Sequence, residues 1–72
     1  VIITECSILT SEGVRDADVA WASDEFYAEL GEMTPFPKAP EICVEVKSPA
    51  NSRSEMEEKI RLYLEKGASE VW

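Results

Sequence analysis

The stretch Glu41-Ile42-Cys43-Val44-Glu45-Val46-Lys47-Ser48-Pro49 decides how this chain folds. Its alternation predicts a strand over 41–47 with Ile42, Val44 and Val46 on one face and Glu45 and Lys47 on the other, because successive side chains of a strand turn to opposite sides. Ile42, Val44 and Val46 are expected to be the buried face, and the charged face a working edge. A carboxylate beside an ammonium is costly in a core unless something uses it. An isolated Glu-x-Lys also arises from charged alternation on a half-exposed strand, so the pair alone is a weak signal.

Downstream, Ser48 to Arg53 reads as a loop and leads to the clearest helix of the chain. Ser54 followed by Glu57 predicts a capping box, and Met56, Ile60, Tyr63 and Leu64 recur at helical spacing as the expected buried stripe. Gly67 predicts a left-handed helix end, and 69–72 opens a further strand. Strand, helix, strand over some thirty residues is a crossover unit, so 41–47 and 69–72 are expected to run parallel.

Upstream, Val1 to Leu9 is rich in Val, Ile and Thr and predicts a strand, Thr10 to Gly13 a turn, and 14–23 a second strand. Alternation in that second strand sets Asp18, Ala20 and Ala22 against Val19 and Trp21. A short helix is expected over 24–30, capped by Ser23 or Asp24. Gly31 and the prolines at 35, 37 and 40 then impose a stiff extended loop. The fold class is therefore α/β, a mixed sheet flanked by helices.

Composition narrows the function. The chain has 72 residues, enough for at most one small domain, and a chain of this size buries only about 60% of the surface it exposes unfolded. It starts on Val1 and stops on Glu70-Val71-Trp72, the opening of a strand, so a partial domain over 1–72 is expected. Lys and Arg number 7 against 15 Asp and Glu, a net charge of −8, which argues against tight nonspecific DNA binding by these residues alone. It argues less against a metal-dependent site, where carboxylates hold the cation that faces phosphate.

No histidine is present, which removes Ser-His-Asp and Cys-His catalysis and the usual zinc sites. Cys6 and Cys43 sit in strand-like runs and are expected to be reduced, buried thiols of a cytoplasmic protein, with a bridge between them left open. No apolar run approaches the roughly 20 residues of a membrane span.

The candidate chemistry lies on the two inner strands. Magnesium takes oxygen ligands, commonly one or two carboxylates with water and phosphate completing the shell. Asp18 and Glu45 are placed to supply the carboxylates from neighbouring strands and the Val46 carbonyl a further oxygen, while Lys47 orients or helps deprotonate an attacking water. Asp16 competes with Asp18, but Arg15 and the turn beside it favour a surface role. Glu41 is expected to be a solvated strand start. Glu58 and Lys59 either face the site or form an exposed, charge-paired helix face, the second being expected. Trp21 and Tyr63 are expected in the core.

Three blocks carry a resemblance: Val14-Arg15-Asp16-Ala17-Asp18-Val19-Ala20-Trp21, then Ala39-Pro40 through Ser48-Pro49, then Glu58-Lys59-Ile60-Arg61-Leu62-Tyr63 to Gly67 with Glu70-Val71-Trp72. Together they resemble the Uma-two family, a bacterial group of candidate endonucleases placed in the PD-(D/E)XK restriction endonuclease-like superfamily. The resemblance covers residues 14–72. It implies a nuclease-like domain hydrolysing phosphodiester bonds in DNA with Mg²⁺ or Mn²⁺, with Asp18 and Glu45 as metal ligands and Lys47 as the lysine.

Ala17 stands where the family usually has proline, and Lys47 where many relatives carry an apolar residue. The superfamily's upstream helix has no counterpart before Val1. The rival expectation is a non-catalytic interaction or assembly module on the same fold. Under either, exposed sheet edges favour a homodimer.

Overall fold

A computed structural model describes all of residues 1–72. β1 (Ile2–Thr10) and β2 (Gly13–Trp21) form an antiparallel hairpin, followed by α1 (Asp24–Leu30), β3 (Ile42–Val44), α2 (Arg53–Glu65) and β4 (Glu70–Val71). The sheet order is β1-β2-β3-β4, with β2 and β3 antiparallel and β3 and β4 parallel. The fold is thus a mixed sheet with helices, and the crossover through α2 joins parallel strands as its sequence implies. No helix is long and apolar enough to cross a membrane.

The core runs along one row of the sheet. Register pairs Ile3 with Ala20, Ala20 with Cys43, and Cys43 with Val71, and these side chains pack with Tyr63 and Ala68 from the end of α2. The neighbouring row, Ile2, Trp21, Ile42 and Glu70, lies on the opposite face. Ile2 is 66% exposed and Trp21 42%, while Ile42 and Val44 are half-buried and Val46 is exposed.

This reverses the expectation for β3. The face carrying Cys43 and Glu45 is covered by α2, and the more apolar Ile42–Val44–Val46 face is open. Trp21 accordingly belongs to the open face and not to the core, whereas Tyr63 is fully buried.

The regular ladder of β3 is shorter than 41–47, stopping at Val44. Glu45 N–H still donates to Trp72 O (3.0 Å) and Trp72 N–H to Cys43 O (2.8 Å), so β4 holds the backbone one residue further. Between β1 and β2, pairing passes from Thr4↔Val19 to Cys6↔Ala17 around Glu5, whose φ of 50° lies in a region uncommon for non-glycine residues. There the buried set changes parity, from Ile3 to Cys6 and Ile8 in β1 and from Ala20 to Ala17 in β2. Asp18 stands at this switch.

α2 is capped by Ser52, not Ser54: the Ser52 hydroxyl accepts from Glu55 N–H at 3.1 Å. Its buried residues are Leu62 and Tyr63, while Ile60 and Leu64 of the expected stripe are exposed. The helix ends in a paired closure, Gly67 N–H to Leu64 O (3.1 Å) and Ala68 N–H to Tyr63 O (3.0 Å), with Gly67 at φ 105°. Arg61 links Glu65 (2.7 Å) to Glu12 of the hairpin turn (2.9 Å), which holds α2 along the hairpin.

The proline-rich loop also contributes structure. Phe36 bridges to Ile8 on the outer side of β1 and packs edge-on against Phe26 of α1, ring centroids 5.6 Å apart. Glu41, expected to be solvated, is half-buried and accepts from both the N–H (3.0 Å) and hydroxyl of Ser23, the N-cap of α1. Cys6 and Cys43 are buried free thiols.

Candidate active site

Glu45 lies at the end of β3 on the face that α2 covers, and its side chain is only 5% exposed. A carboxylate at such depth requires donors, and α2 supplies two from adjacent turns. Tyr63 Oη donates to Glu45 Oε1 at 2.7 Å, and Lys59 Nζ stands 3.4 Å from Oε1 and 3.5 Å from Oε2. Lys59 also reaches the Asp16 carbonyl at 3.4 Å. Burial, and then the carboxylate it donates to, push the Tyr63 phenol well above its ordinary pKa, so it is a neutral donor.

Asp18 approaches from β2. The β2–β3 pairing ends at Val19↔Val44, and Asp18 and Glu45 are the next residues of the two strands beyond it. In place of further ladder bonds, Asp18 Oδ2 accepts from Val46 N–H at 2.7 Å, a short charge-assisted bond that seals the end of β3. Asp18 is exposed where Glu45 is buried, so the pair spans the boundary between core and solvent.

The structure therefore brings together Asp18, Glu45 and Val46, the last meeting Asp18 through its N–H. Lys47 is exposed and hydrogen-bonds neither carboxylate, because regular alternation ends at Glu45. Asp16 is exposed and its carboxylate accepts from Ser7 Oγ at 2.7 Å. Lys59, expected on an exposed helix face, instead turns toward Glu45 with its side chain 30% exposed. Glu58 lies 4.0 Å from Arg61.

Sequence reasoning missed the partnership of Lys59 and Tyr63 with Glu45. A signal existed: the two are four residues apart, so a helix that buries Tyr63 must also turn Lys59 inward.

No group of three or more His, Cys, Asp or Glu side chains gathers to enclose a metal. Two carboxylates on adjacent strands suit a hard cation that keeps much of its water, as Mg²⁺ does, and not a closed structural zinc site. Each carboxylate has one oxygen tied to a strong donor and one left less committed. The residues present thus fit a divalent cation, with the Lys59 ammonium as its competitor for Glu45.

Among known proteins, a family model described as "Putative restriction endonuclease" matches residues 1–72. No curated protein matches the chain.

Proposed function

The chain belongs to the Uma2 family, and from that membership and the site just described we propose that it is a Mg²⁺- or Mn²⁺-dependent endonuclease that hydrolyses phosphodiester bonds in DNA. The observation that carries the reading is the position of Asp18 and Glu45 just past the last β2–β3 pair, Val19↔Val44, with Val46 N–H and Tyr63 Oη each holding one carboxylate oxygen. Asp18 and Glu45 would hold the cation, and the Val46 carbonyl would be the candidate third ligand. When bound, the cation supplies positive charge against the phosphate oxygens and raises the acidity of the attacking water.

The protein's own groups do the rest. Lys47, exposed and two residues beyond Glu45, would orient the water and offset charge on the phosphate as the water oxygen bonds to phosphorus and one ester oxygen leaves. Lys59 sets its ammonium 3.4 Å from Glu45 Oε1, a positive charge beside the carboxylate. The net charge of −8 leaves these 72 residues with little general attraction to DNA, so affinity would come through the cation and through other basic surface. A homodimer acting in the cytoplasm is part of this proposal.

One observation favours a second reading, an interaction module retaining the fold: Ile2, Trp21, Val46 and Trp72 are all more than 40% exposed, and the first two share the open sheet face. The test is Mn²⁺-dependent cleavage of plasmid and single-stranded DNA by the full chain beside a Glu45→Gln, Lys47→Ala double variant. Cleavage lost in the variant supports the nuclease. Absence of both cleavage and Mn²⁺ binding in the parent overturns it in favour of the module.

A further inference from the structure

The geometry points to Tyr63 as a positioning residue that fixes Glu45 as a one-oxygen ligand, committing Oε1 to the protein and turning Oε2 to the cation. This rests on the metal-dependent nuclease reading and assigns within it a role that core packing alone does not require.

Tyr63 is fully buried in a cluster with Cys43, Ala20 and Ala68. A phenylalanine would fill that space with the same ring, and a phenolic hydroxyl in such a place is a cost unless an acceptor meets it. The acceptor is Glu45 Oε1 at 2.7 Å, the shortest of the hydrogen bonds made to this carboxylate. Oε2 has only the Lys59 ammonium, at 3.5 Å. The two oxygens are therefore unequal, and the inequality is set by Tyr63.

Asp18 shows the same division: Oδ2 is held by Val46 N–H at 2.7 Å, and Oδ1 has no hydrogen-bond partner within the protein. Each carboxylate thus has one oxygen anchored by a neutral donor at 2.7 Å, and Glu45 has the Lys59 ammonium in addition, at the longer distances of 3.4 and 3.5 Å. A neutral donor is the suitable anchor here, because it orients the carboxylate without neutralising it.

The position of the phenol is itself fixed at both ends. Tyr63 O accepts from Ala68 N–H at 3.0 Å in the closure around Gly67, and Ala68 packs in the same cluster. The hydroxyl thus sits where the end of α2 places it, before any cation arrives. Groups that anchor a metal ligand in this way commonly alter metal affinity by about 10–100-fold when removed.

The test is Mn²⁺ binding by calorimetry on the full chain, with Tyr63→Phe and Glu45→Gln, at a temperature well below the Tm of each variant. The proposal expects Glu45→Gln to lose binding and Tyr63→Phe, folded by circular dichroism, to bind about tenfold more weakly. Tyr63→Met, which lacks the hydroxyl and fills the space with a flexible chain, carries the same expectation and serves if the Phe variant does not fold. A role limited to packing would lower Tm and leave the affinity of the folded protein unchanged, and that result overturns the proposal while the metal site stands. An unsubstituted chain that binds no Mn²⁺ overturns the nuclease reading, and this proposal with it.

Discussion

Lys59→Met separates the charge of Lys59 from its aliphatic stem, since methionine retains most of the carbon that lies along α2. In the metal-free protein the substitution leaves Glu45, 5% exposed, with Tyr63 as its sole side-chain donor. Removing one partner of a fully buried ion pair costs about 3–5 kcal/mol, and exposed pairs contribute about 0–1 kcal/mol. This pair lies between: one member is buried, the other is 30% exposed, and their separation of 3.4 Å is long for a charge-assisted bond. A loss of about 1–2 kcal/mol follows from that position between the limits. In a domain of this size it lowers Tm by roughly 5–15 °C.

Thermal melts followed by circular dichroism at pH 7 in chelator measure the loss directly. Repeating the substitution in a Glu45→Gln background tests its cause, because without the carboxylate charge the effect of Lys59→Met should largely vanish. Added Mn²⁺ should narrow the difference between parent and Lys59→Met, the cation supplying the charge that the ammonium supplied. A Tm unchanged by Lys59→Met in chelator, or a loss of equal size in the Glu45→Gln background, would refute the view that the pair stabilises this end of the sheet.

Other perturbations probe the frame around the site. Gly67→Ala places a side chain at φ 105° with nothing within 4 Å of the added carbon, so its cost is backbone strain alone, about 1–2 kcal/mol, read as a lower Tm. For Glu41, burial raises the pKa, but the hydrogen bonds from Ser23 outweigh it and hold the carboxyl below its usual 4.5. Its stabilisation is therefore present above that pH and is lost as pH falls through the lower folded value. Plots of Tm against pH should show a smaller acid-side decline in Glu41→Gln than in the parent. Burial, with Asp16 adding to it, pushes the Cys6 thiol up to about 11, and burial with Cys6 and Glu45 pushes Cys43 up to about 12. Both should resist a thiol-specific chromogenic disulfide at pH 8 in the native protein and react promptly in denaturant.

The crossover from β3 through α2 to β4 was legible because its signals are local: a period of two, then a helical period, then Gly67 at a positive φ. The covered face of β3 was not. Counting apolar residues favours Ile42, Val44 and Val46, but what decides the face is the helix above it, and α2 brings donors that make a buried Glu45 acceptable. The cap was ambiguous for a different reason. Ser52 and Ser54 are each followed by glutamate three residues on, and the structure uses the first. The change of parity at Glu5 has no sequence signature, since glutamate rarely adopts φ 50° and nothing beside it announces a turn. Asp18 and Glu45 stand out in the sequence because each interrupts an apolar strand. Lys59 and Tyr63 stayed hidden because each has an ordinary explanation, one as surface charge and the other as core.

The hydrogen bonds of the site also impose an order in time. Asp18 waits 28 residues for Val46, Glu45 waits 18 for Tyr63, and the Asp16 carbonyl waits 43 for Lys59. A ribosome lays down both carboxylates before it has made either of the α2 residues that hold Glu45. Any N-terminal piece cut before Lys59, whether by stalled translation or by a protease in the 48–52 loop, therefore carries the acidic pair without its anchors. Such a piece carries both carboxylates without the donors that fix Glu45, so the arrangement at the end of β3 is complete only once α2 has been made.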